Sequence, residues 1–322
     1  MLRVGILSTA HMHVWSYVHA LRAHPDAEIV GVWDDEVERG EVFAQKTGLP
    51  FVGYMDDLLN DVDAVIITSH NTGHAELAVK AAQAGKHILC EKPLAVTEAD
   101  CQRMIEAAEA AGVHLMTAFP CRFSPAFKRL LERVKSGEIG AIKGICATNH
   151  GRCPFDWFVE KDKSGGGAMI DHVVHVSDLL RALLGEDPIR VQAQTGNNMY
   201  GQDWEDTAML TLEYASGVFA TLDSSWSRPK SFKTWGDVTM NVVGENGVIE
   251  LDMFGPSVDL YTEKHVGAGY GSDMDSLMVD AFVRACLEGT PVPATGNDGL
   301  AAARVAIWGY QSAAASQPMA CK

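Results

Sequence analysis

Across the first 120 residues, short continuous apolar runs alternate with amphipathic stretches. Leu2–Leu7, Ala27–Trp33, Asp63–Thr68, His87–Cys90 and Val113–Ala118 read as strands, with a further short strand near Phe51-Val52. His11–His24, Glu36–Thr47, His74–Ala84 and Glu98–Ala111 read as helices, the last two stopped by Gly85 and Gly112. Strands apolar on both faces and separated by helices predict a doubly wound parallel sheet. Beyond residue 120 the pattern changes. Ser124–Ser136 reads as a helix stopped by Gly137. Ile189–Thr195, Asp206–Tyr214, Gly217–Ser225, Asp237–Val243 and Val248–Met253 then alternate apolar and polar positions, as antiparallel strands with one solvated face do. Asp273–Leu287 and Asp298–Ala315 close the chain as helices. The expected architecture is α/β followed by α+β, with boundaries at 1–120 and 121–322 and a large open, mainly antiparallel sheet in the second domain.

One helix breaks the amphipathic rule. Ser164–Gly185 carries apolar residues at Met169, Val173, Val176, Leu180 and Leu183, with Ile170, Val174, Leu179 and Leu184 alongside, a stripe broad enough to predict burial. Asp171, His175 and Asp178 nevertheless share one narrow face at i, i+4 and i+7, with His172 beside them. Titratable groups on a buried helix need partners or a wet cleft. A solvated helix edge is the plain alternative.

Composition narrows the function classes. With 42 acidic and 26 basic residues the net charge is −16, and no block of Lys or Arg occurs, which argues against nucleic acid and anionic membranes as partners. No apolar run reaches the roughly 18 residues of a membrane span, and the first residues lack a signal-peptide pattern. The seven cysteines are scattered without a CxxC pair, which predicts reduced thiols and a cytoplasmic protein.

Open parallel sheets bind ligands at the carboxyl ends of their strands. After the first strand the loop runs Ser8-Thr9-Ala10-His11-Met12-His13, with Ser8, Ala10 and His13 at the positions that are small in a dinucleotide fingerprint. Small side chains there let backbone amides approach a pyrophosphate, and the helix N-terminus supplies the field; a plain strand-to-helix turn remains the alternative. Asp34, ending the second strand, is placed to accept hydrogen bonds from ribose hydroxyls. With Asp35 and Glu36 beside it and no basic residue before Arg39, NAD is expected over NADP. Ser69, Asn71 and His74 follow the next strand, and Cys90-Glu91-Lys92-Pro93-Leu94 the one after.

These words, with Ala84-Gly85-Lys86-His87-Ile88-Leu89, Arg122-Phe123, Gly165-Gly166-Gly167-Ala168 leading to Asp171 and His175, Glu205-Asp206-Thr207-Ala208 and Ser224-Ser225-Trp226, occur in order over almost the whole chain. In them the sequence resembles the Gfo/Idh/MocA oxidoreductases, the glucose–fructose oxidoreductase and inositol dehydrogenase relatives. The resemblance implies an N-terminal Rossmann domain, a C-terminal open-sheet domain, NAD(P), and a homodimer or homotetramer built on that sheet. It implies Lys92, Asp171 and His175 as catalytic residues. His175 would take the hydroxyl proton as hydride leaves, Lys92 would stabilise the developing alkoxide, and Asp171 would set the charge state of either. Ser8, Thr9, Ala10, His11, Asp34, Ser69, Asn71, His74, Glu91 and Lys92 are the expected cofactor contacts. Lys92, Arg122, His172, Trp157, Trp226 and Arg228 are the expected substrate contacts, with Phe158 and Trp235 nearby in sequence. An aromatic-lined site with an arginine fits a carbohydrate-like small molecule.

The sequence departs from the family pattern at the glycine fingerprint, at His172-Val173, and in the added His11/His13 pair. Asp171, His172, His175 and His11 are residue types that bind divalent metals, but hydrogen-bonded histidines are the commoner arrangement and no metal is expected. Three functions follow in order: an NAD-linked dehydrogenase or reductase for a sugar, cyclitol or related polyol; a glycosidase or lyase working by transient oxidation and elimination; and a dinucleotide-sensing regulator.

Overall fold

Apolar runs and their spacers define the elements of the computed structural model, which describes residues 1–255, 257–261, 265–269 and 271–321. In chain order these are β1 (Leu2–Leu7), α1 (Val14–Ala23), β2 (Ala27–Trp33), α2 (Val37–Thr47), α3 (Met55–Asp61), β3 (Ala64–Ile67), α4 (His74–Gln83), β4 (His87–Cys90), α5 (Glu98–Ala111), β5 (Leu115–Thr117), α6 (Pro125–Lys135) and β6 (Ile142–Gly151). There follow α7 (Lys161–Ser164), α8 (Ala168–Leu184), β7 (Pro188–Gly196), β8 (Thr207–Tyr214), β9 (Phe219–Ser225), β10 (Gly236–Gly244), β11 (Val248–Asp252), β12 (Ser257–Tyr261), β13 (His265–Gly269), α9 (Met274–Glu288), α10 (Gly296–Ala315) and β14 (Met319–Ala320).

The chain forms two compact units. The first comprises residues 1–120, 162–165 and 274–303; the second comprises 121–161, 166–273 and 304–322. The return of 274–303 to the first unit has a local cause. Met278, Val279 and Phe282 of α9 are buried, Asp280 pairs with His24 at the end of α1, and Thr117 of β5 donates its backbone N–H to the Ala294 carbonyl.

In the first unit five parallel strands run in the order β2-β1-β3-β4-β5. Val4, Ile6, Val65, Ile66, Ile67, Ile88 and Leu89 have no solvent exposure, so both sheet faces are covered, as continuous apolar strands require. Because β1 has β2 on one side and β3 on the other, the chain leaves these two central strands in opposite directions. The loops after β1 and β3 therefore flank a topological switch point.

The second unit is built on seven strands in the order β11-β10-β6-β9-β8-β7-β14. All pairs are antiparallel except β6 with β9. The central strand β6 was not expected. Its sequence, IKGICATNHG, has two glycines and few β-branched residues, but Ile145, Ala147 and Asn149 alternate inward. α8 covers that face: the Ser224 hydroxyl on β9 donates to the Ala168 carbonyl at 3.2 Å.

Candidate active site

In the first unit the β1–α1 loop is tied to its neighbours by backbone geometry. Ser8 takes φ +67°, the left-handed conformation a fingerprint glycine would adopt without strain. Its N–H donates to the Trp33 carbonyl and its own carbonyl accepts from Thr68 Oγ1 at 2.6 Å, while the His11 N–H donates to the Thr68 carbonyl. Thr9 donates through both N–H (2.7 Å) and Oγ1 (2.5 Å) to Asp34.

Asp34 is tied into the loop itself. Its side chain is fully buried and accepts from Thr9, from the Glu36 N–H at 2.9 Å and from the Arg39 guanidinium at 2.5 Å. Burial alone would raise its pKa, but the bonds from Arg39 and Thr9 outweigh that and hold it below the ordinary carboxylate value. The carboxylate expected at the ribose thus braces the loop from inside. Asp35, with half its side chain exposed, is the open acid. Arg39 is surrounded by acids, also reaching Asp35 at 2.7 Å and Glu36 at 2.9 Å.

At the end of β3, Ser69 and Asn71 are buried. Asn71 donates to the Ser164 carbonyl at 2.8 Å, and its buried Oδ1 has no partner among the described residues. His74 has no exposure, and its ring nitrogens point at the Pro93 and Ser69 carbonyls at 2.9 and 3.3 Å. Burial pushes its pKa down, and the ring joins the two strand-end loops.

After β4, Glu91 is the hub of a network the sequence shows only as the spacing His11-x-His13-x3-Tyr17. Glu91 Oε1 accepts from His13 Nδ1 at 3.0 Å and from the Tyr17 hydroxyl, and Oε2 accepts from the Lys92 N–H at 3.0 Å. His11 Nδ1 lies 3.8 Å from Oε1. Burial opposes the charge on Glu91, but His11, His13 and Lys92 prevail and drive its pKa far below the carboxylate range. Burial likewise lowers His13, and Glu91 overrides it to leave that imidazole above its ordinary value. Among the described residues, His11, His13 and Glu91 are the one histidine–cysteine–acid grouping with converging ligand atoms. Both Glu91 oxygens are already satisfied within the protein. Lys92 is buried beside this network.

The second unit has its own cluster on α8. The helix starts where it does because Glu205 caps it: its Oε1 accepts from the Gly167 N–H (2.7 Å), the Met169 N–H (3.2 Å) and the Tyr310 hydroxyl (2.6 Å). A carboxylate there also meets the positive end of the helix dipole. A Cβ on Gly166 would lie 1.9 Å from the Tyr310 oxygen, and one on Gly167 2.1 Å from the Glu205 carbonyl. The glycine run is a close-packing requirement.

From this start, Asp171 and His172 are brought together: Asp171 Oδ2 accepts from Trp226 Nε1 at 3.0 Å and lies 3.2 Å from His172 Nε2. His175 is half-buried on the same helix. Asp178 is fully buried and holds Arg122 through two hydrogen bonds, one of them 2.9 Å from Nε. The Arg122 guanidinium, expected at a substrate, braces α8 against the segment before α6. Trp157 and Trp226 are core residues in a cluster with Cys153, Phe158 and Ala168; Trp157 stacks on Phe158 with centroids 3.9 Å apart. Arg228 is not with them. It binds Asp237 at 2.7 Å, beside His150, on the sheet face opposite α8. Trp235 is half exposed, 5.8 Å from the Arg152 guanidinium.

Sequence reasoning missed Asn149, Tyr17 and Glu205 as site-building residues. Of these only Glu205 had a signal, as part of a family word without an assigned role.

Comparison with known proteins places this geometry. Residues 2–119 match the model for an oxidoreductase family with an NAD-binding Rossmann fold, and residues 127–250 match the Gfo/Idh/MocA C-terminal domain. The chain is 29% identical over 317 residues to the myo-inositol 2-dehydrogenase of Thermotoga maritima, covering 92% of each. It is 32% identical over 234 residues to the 1,5-anhydro-D-fructose reductase of Ensifer adhaerens, covering 70% of each. The solved structure of GenD2 from gentamicin A biosynthesis, in complex with NAD, superimposes with a TM-score of 0.91 at 26% identity, over 100% of this chain and 96% of that one.

Proposed function

The chain belongs to the Gfo/Idh/MocA oxidoreductases, whose N-terminal domain is an NAD-binding Rossmann fold, and from that premise we propose that it is an NAD-linked dehydrogenase or reductase acting on the CH–OH group of a sugar, cyclitol or related polyol. The observation that carries this reading is the buried Asn71 Oδ1, without a partner among the described residues, beside the acid-lined switch-point loop of the first unit; the second unit carries Asp171 and His175 on one helix of its own. The names of the inositol and anhydrofructose relatives supply the substrate class.

The first unit suits the dinucleotide on its own geometry. Asn71 Oδ1 is a buried acceptor with no partner among the described residues, at the strand end where a cofactor would meet it. Ser8, Thr9, Ala10 and His11 form the loop for the pyrophosphate, with Ser69, His74 and Glu91 holding the neighbouring strand ends. Asp35 takes the ribose in place of Asp34. Arg39 alone cannot welcome a 2′-phosphate, because Asp34, Asp35 and Glu36 surround it and leave the patch net negative. NAD is therefore favoured over NADP.

When bound, nicotinamide accepts or supplies the hydride. The chain's residues handle the proton and the oxygen. His175 takes the hydroxyl proton in oxidation and returns it in reduction. Lys92 donates to the reacting oxygen and stabilises negative charge developing there. Asp171, which accepts from Trp226 Nε1 at 3.0 Å, lies one helical turn from His175 and sets the charge state of that chemistry. His172, Trp157, Trp226 and Arg122 act behind the substrate rather than on it, and Arg228 belongs to the opposite face of the sheet. We assign the exposed sheet face, which carries Met209, Phe219 and Val248, to self-association as a dimer or tetramer. Among the described residues no helix is long and apolar enough to cross a membrane, and the scattered cysteines fit a cytoplasmic setting.

The test is a panel of cyclitols and sugars followed at the NADH absorbance with NAD or NADP. Turnover with NAD is expected, and Lys92→Ala and His175→Ala each lower kcat/KM by about 10²- to 10⁴-fold. Unchanged turnover in both variants would remove the site, and preference for NADP would remove the reading of Asp35 and Arg39. Product formed without net NADH would point to elimination after transient oxidation.

A further inference from the structure

The backbone around Lys92 is pinned at three consecutive residues. The Glu91 N–H donates to the Ile67 carbonyl of β3 at 3.0 Å, the Lys92 N–H donates to Glu91 Oε2 at 3.0 Å, and the Pro93 carbonyl meets His74 Nδ1 at 2.9 Å. The middle anchor differs in kind from the first. A strand supplies the first partner, whereas the Lys92 amide is held by a side-chain carboxylate. Such an anchor is only as rigid as the bonds that fix the carboxylate in turn.

Those bonds come from α1. Glu91 Oε1, the oxygen the Lys92 amide does not use, accepts from the Tyr17 hydroxyl and from His13 Nδ1 at 3.0 Å. His13 is the N-cap of α1 and Tyr17 lies four residues on, so both stand on one face of the helix, with ring centroids 6.1 Å apart. Tyr17 has no exposure. Burial, and then the Glu91 charge, hold its pKa well above the ordinary phenol value, so the hydroxyl keeps its proton and is the donor. Glu91 has no exposure either, and a donor lost there is not replaced by bulk water. His13 also gives a meaning to the altered fingerprint. It occupies the third small position, where a small residue would let helix and strand approach, and it reaches the end of β4 instead.

We propose that Tyr17, together with His13, is a positioning residue for Lys92. The two donors fix Glu91 Oε1, the carboxylate turns Oε2 to the Lys92 N–H, and the lysine backbone is thereby held in one place at the carboxyl end of β4. Tyr17, with no exposure, acts only through Glu91. The kinetic consequence rests on the proposed role of Lys92 in an oxidoreductase; the anchoring of its amide does not.

Amide hydrogen exchange, read by NMR on ligand-free protein, tests the anchor without turnover. Tyr17→Phe keeps the ring and removes one donor. The Lys92 amide should then exchange about 10-fold faster, while the Thr68 amide, bonded to the Leu7 carbonyl, keeps its rate within about two-fold. An unchanged Lys92 rate overturns the proposal, and so does equal acceleration at both amides, which reports general loss of stability. Kinetically, Tyr17→Phe should lower kcat about 10-fold with KM for the polyol and Kd for NAD within about two-fold, because the charge that Lys92 stabilises develops only in the transition state. Wild-type kcat beside a faster Lys92 amide makes Tyr17 merely structural, and a loss confined to Kd for NAD makes it part of the cofactor site. Either result overturns the positioning role. If the wild-type chain turns over no polyol, the proposed function fails while the exchange rates still decide whether Tyr17 holds the Lys92 amide.

Discussion

Of the histidine–carboxylate pairs in this molecule, His13–Glu91 in the first unit and His172–Asp171 in the second have contrasting surroundings. His13 meets Glu91 through one ring nitrogen, and about a third of its side chain is exposed. His172 is buried, with Nδ1 bonded to the Asn149 carbonyl and Nε2 3.2 Å from Asp171 Oδ2. In the first pair the carboxylate is the fixed element: Tyr17, Lys92 N–H and His13 all donate to it, so Glu91 stays ionised while His13 can lose its proton to solvent. In the second pair each partner has one further bond: the ring donates to the Asn149 carbonyl, and the carboxylate accepts from Trp226 Nε1 at 3.0 Å. Which partner titrates depends less on the pair than on how many of its remaining polar atoms are already satisfied.

The sharpest way to break the α8 side of this comparison is at its foundation. Gly167→Ala would drive a methyl to 2.1 Å from the Glu205 carbonyl and 3.0 Å from its carboxylate, displacing the cap that starts the helix. We expect a loss of about 3 kcal/mol in denaturant unfolding, in the upper range for overpacking a close contact. An unfolding midpoint within experimental scatter of wild type would show that Glu205 does not set where α8 begins.

The two regions also differ in how far they were legible. Strands β1, β2 and β4 match their apolar runs, because a parallel strand buried on both faces writes its limits directly into sequence. The loops at their carboxyl ends follow from that topology. The α8 cluster was legible only as residue types on one face. Its partners come from β6 and from the loop after β9, elements far away in sequence. Asn149 contributes through its backbone carbonyl, for which no side-chain pattern exists, and β6 itself was hidden by Gly144 and Gly151. One glycine is there because the Phe219 ring on the paired strand fills the space beside it, the other because the His172 ring does. The surroundings of Asp34 were hidden for a related reason. Its place at a strand end was clear, but nothing in the spacing told that Arg39 and Thr9 would turn it inward.

The His13 side of the comparison is tested by pH, with a smaller expected effect. His13 has a raised folded pKa, so its pairing contributes stability fully below the ordinary histidine value of about 6.5, and the contribution is lost as pH rises through the raised value. Glu91 has a depressed pKa, so its contribution is present above about 4.3 and is lost as pH falls toward the depressed value. Both are at full strength only from about pH 5 to 6.5. The stability difference between wild type and His13→Gln should therefore shrink as pH is raised from 6 to about 9. A difference that stays constant over that range would show that the His13 pairing is not lost by titration there.

The smallest effect, and the most discriminating for the cofactor loop, is expected from Ser8→Gly. Ser8 holds φ +67°, a conformation that costs an L-residue about 1 kcal/mol or more and glycine little. Against that gain, glycine loses more backbone freedom on folding, and the bonds of Ser8 Oγ to Asp35 (3.1 Å) and from Arg39 (3.3 Å) disappear. The terms nearly cancel, leaving a stabilisation of about 0.5 kcal/mol or less. Binding should change more than stability. Removing the hydroxymethyl group restores the close backbone approach that the fingerprint glycine provides, and it frees Asp35 from Ser8, so Kd for NAD should fall severalfold. The second unit carries the matching control. Phe155 has φ +55° and is nearly half exposed, so Phe155→Gly relieves the same kind of strain without touching the dinucleotide loop. If Kd for NAD falls equally in both variants, relief of backbone strain is the common cause and Ser8 has no special part in cofactor binding. A fall confined to Ser8→Gly places the cost of the degraded fingerprint at that one residue.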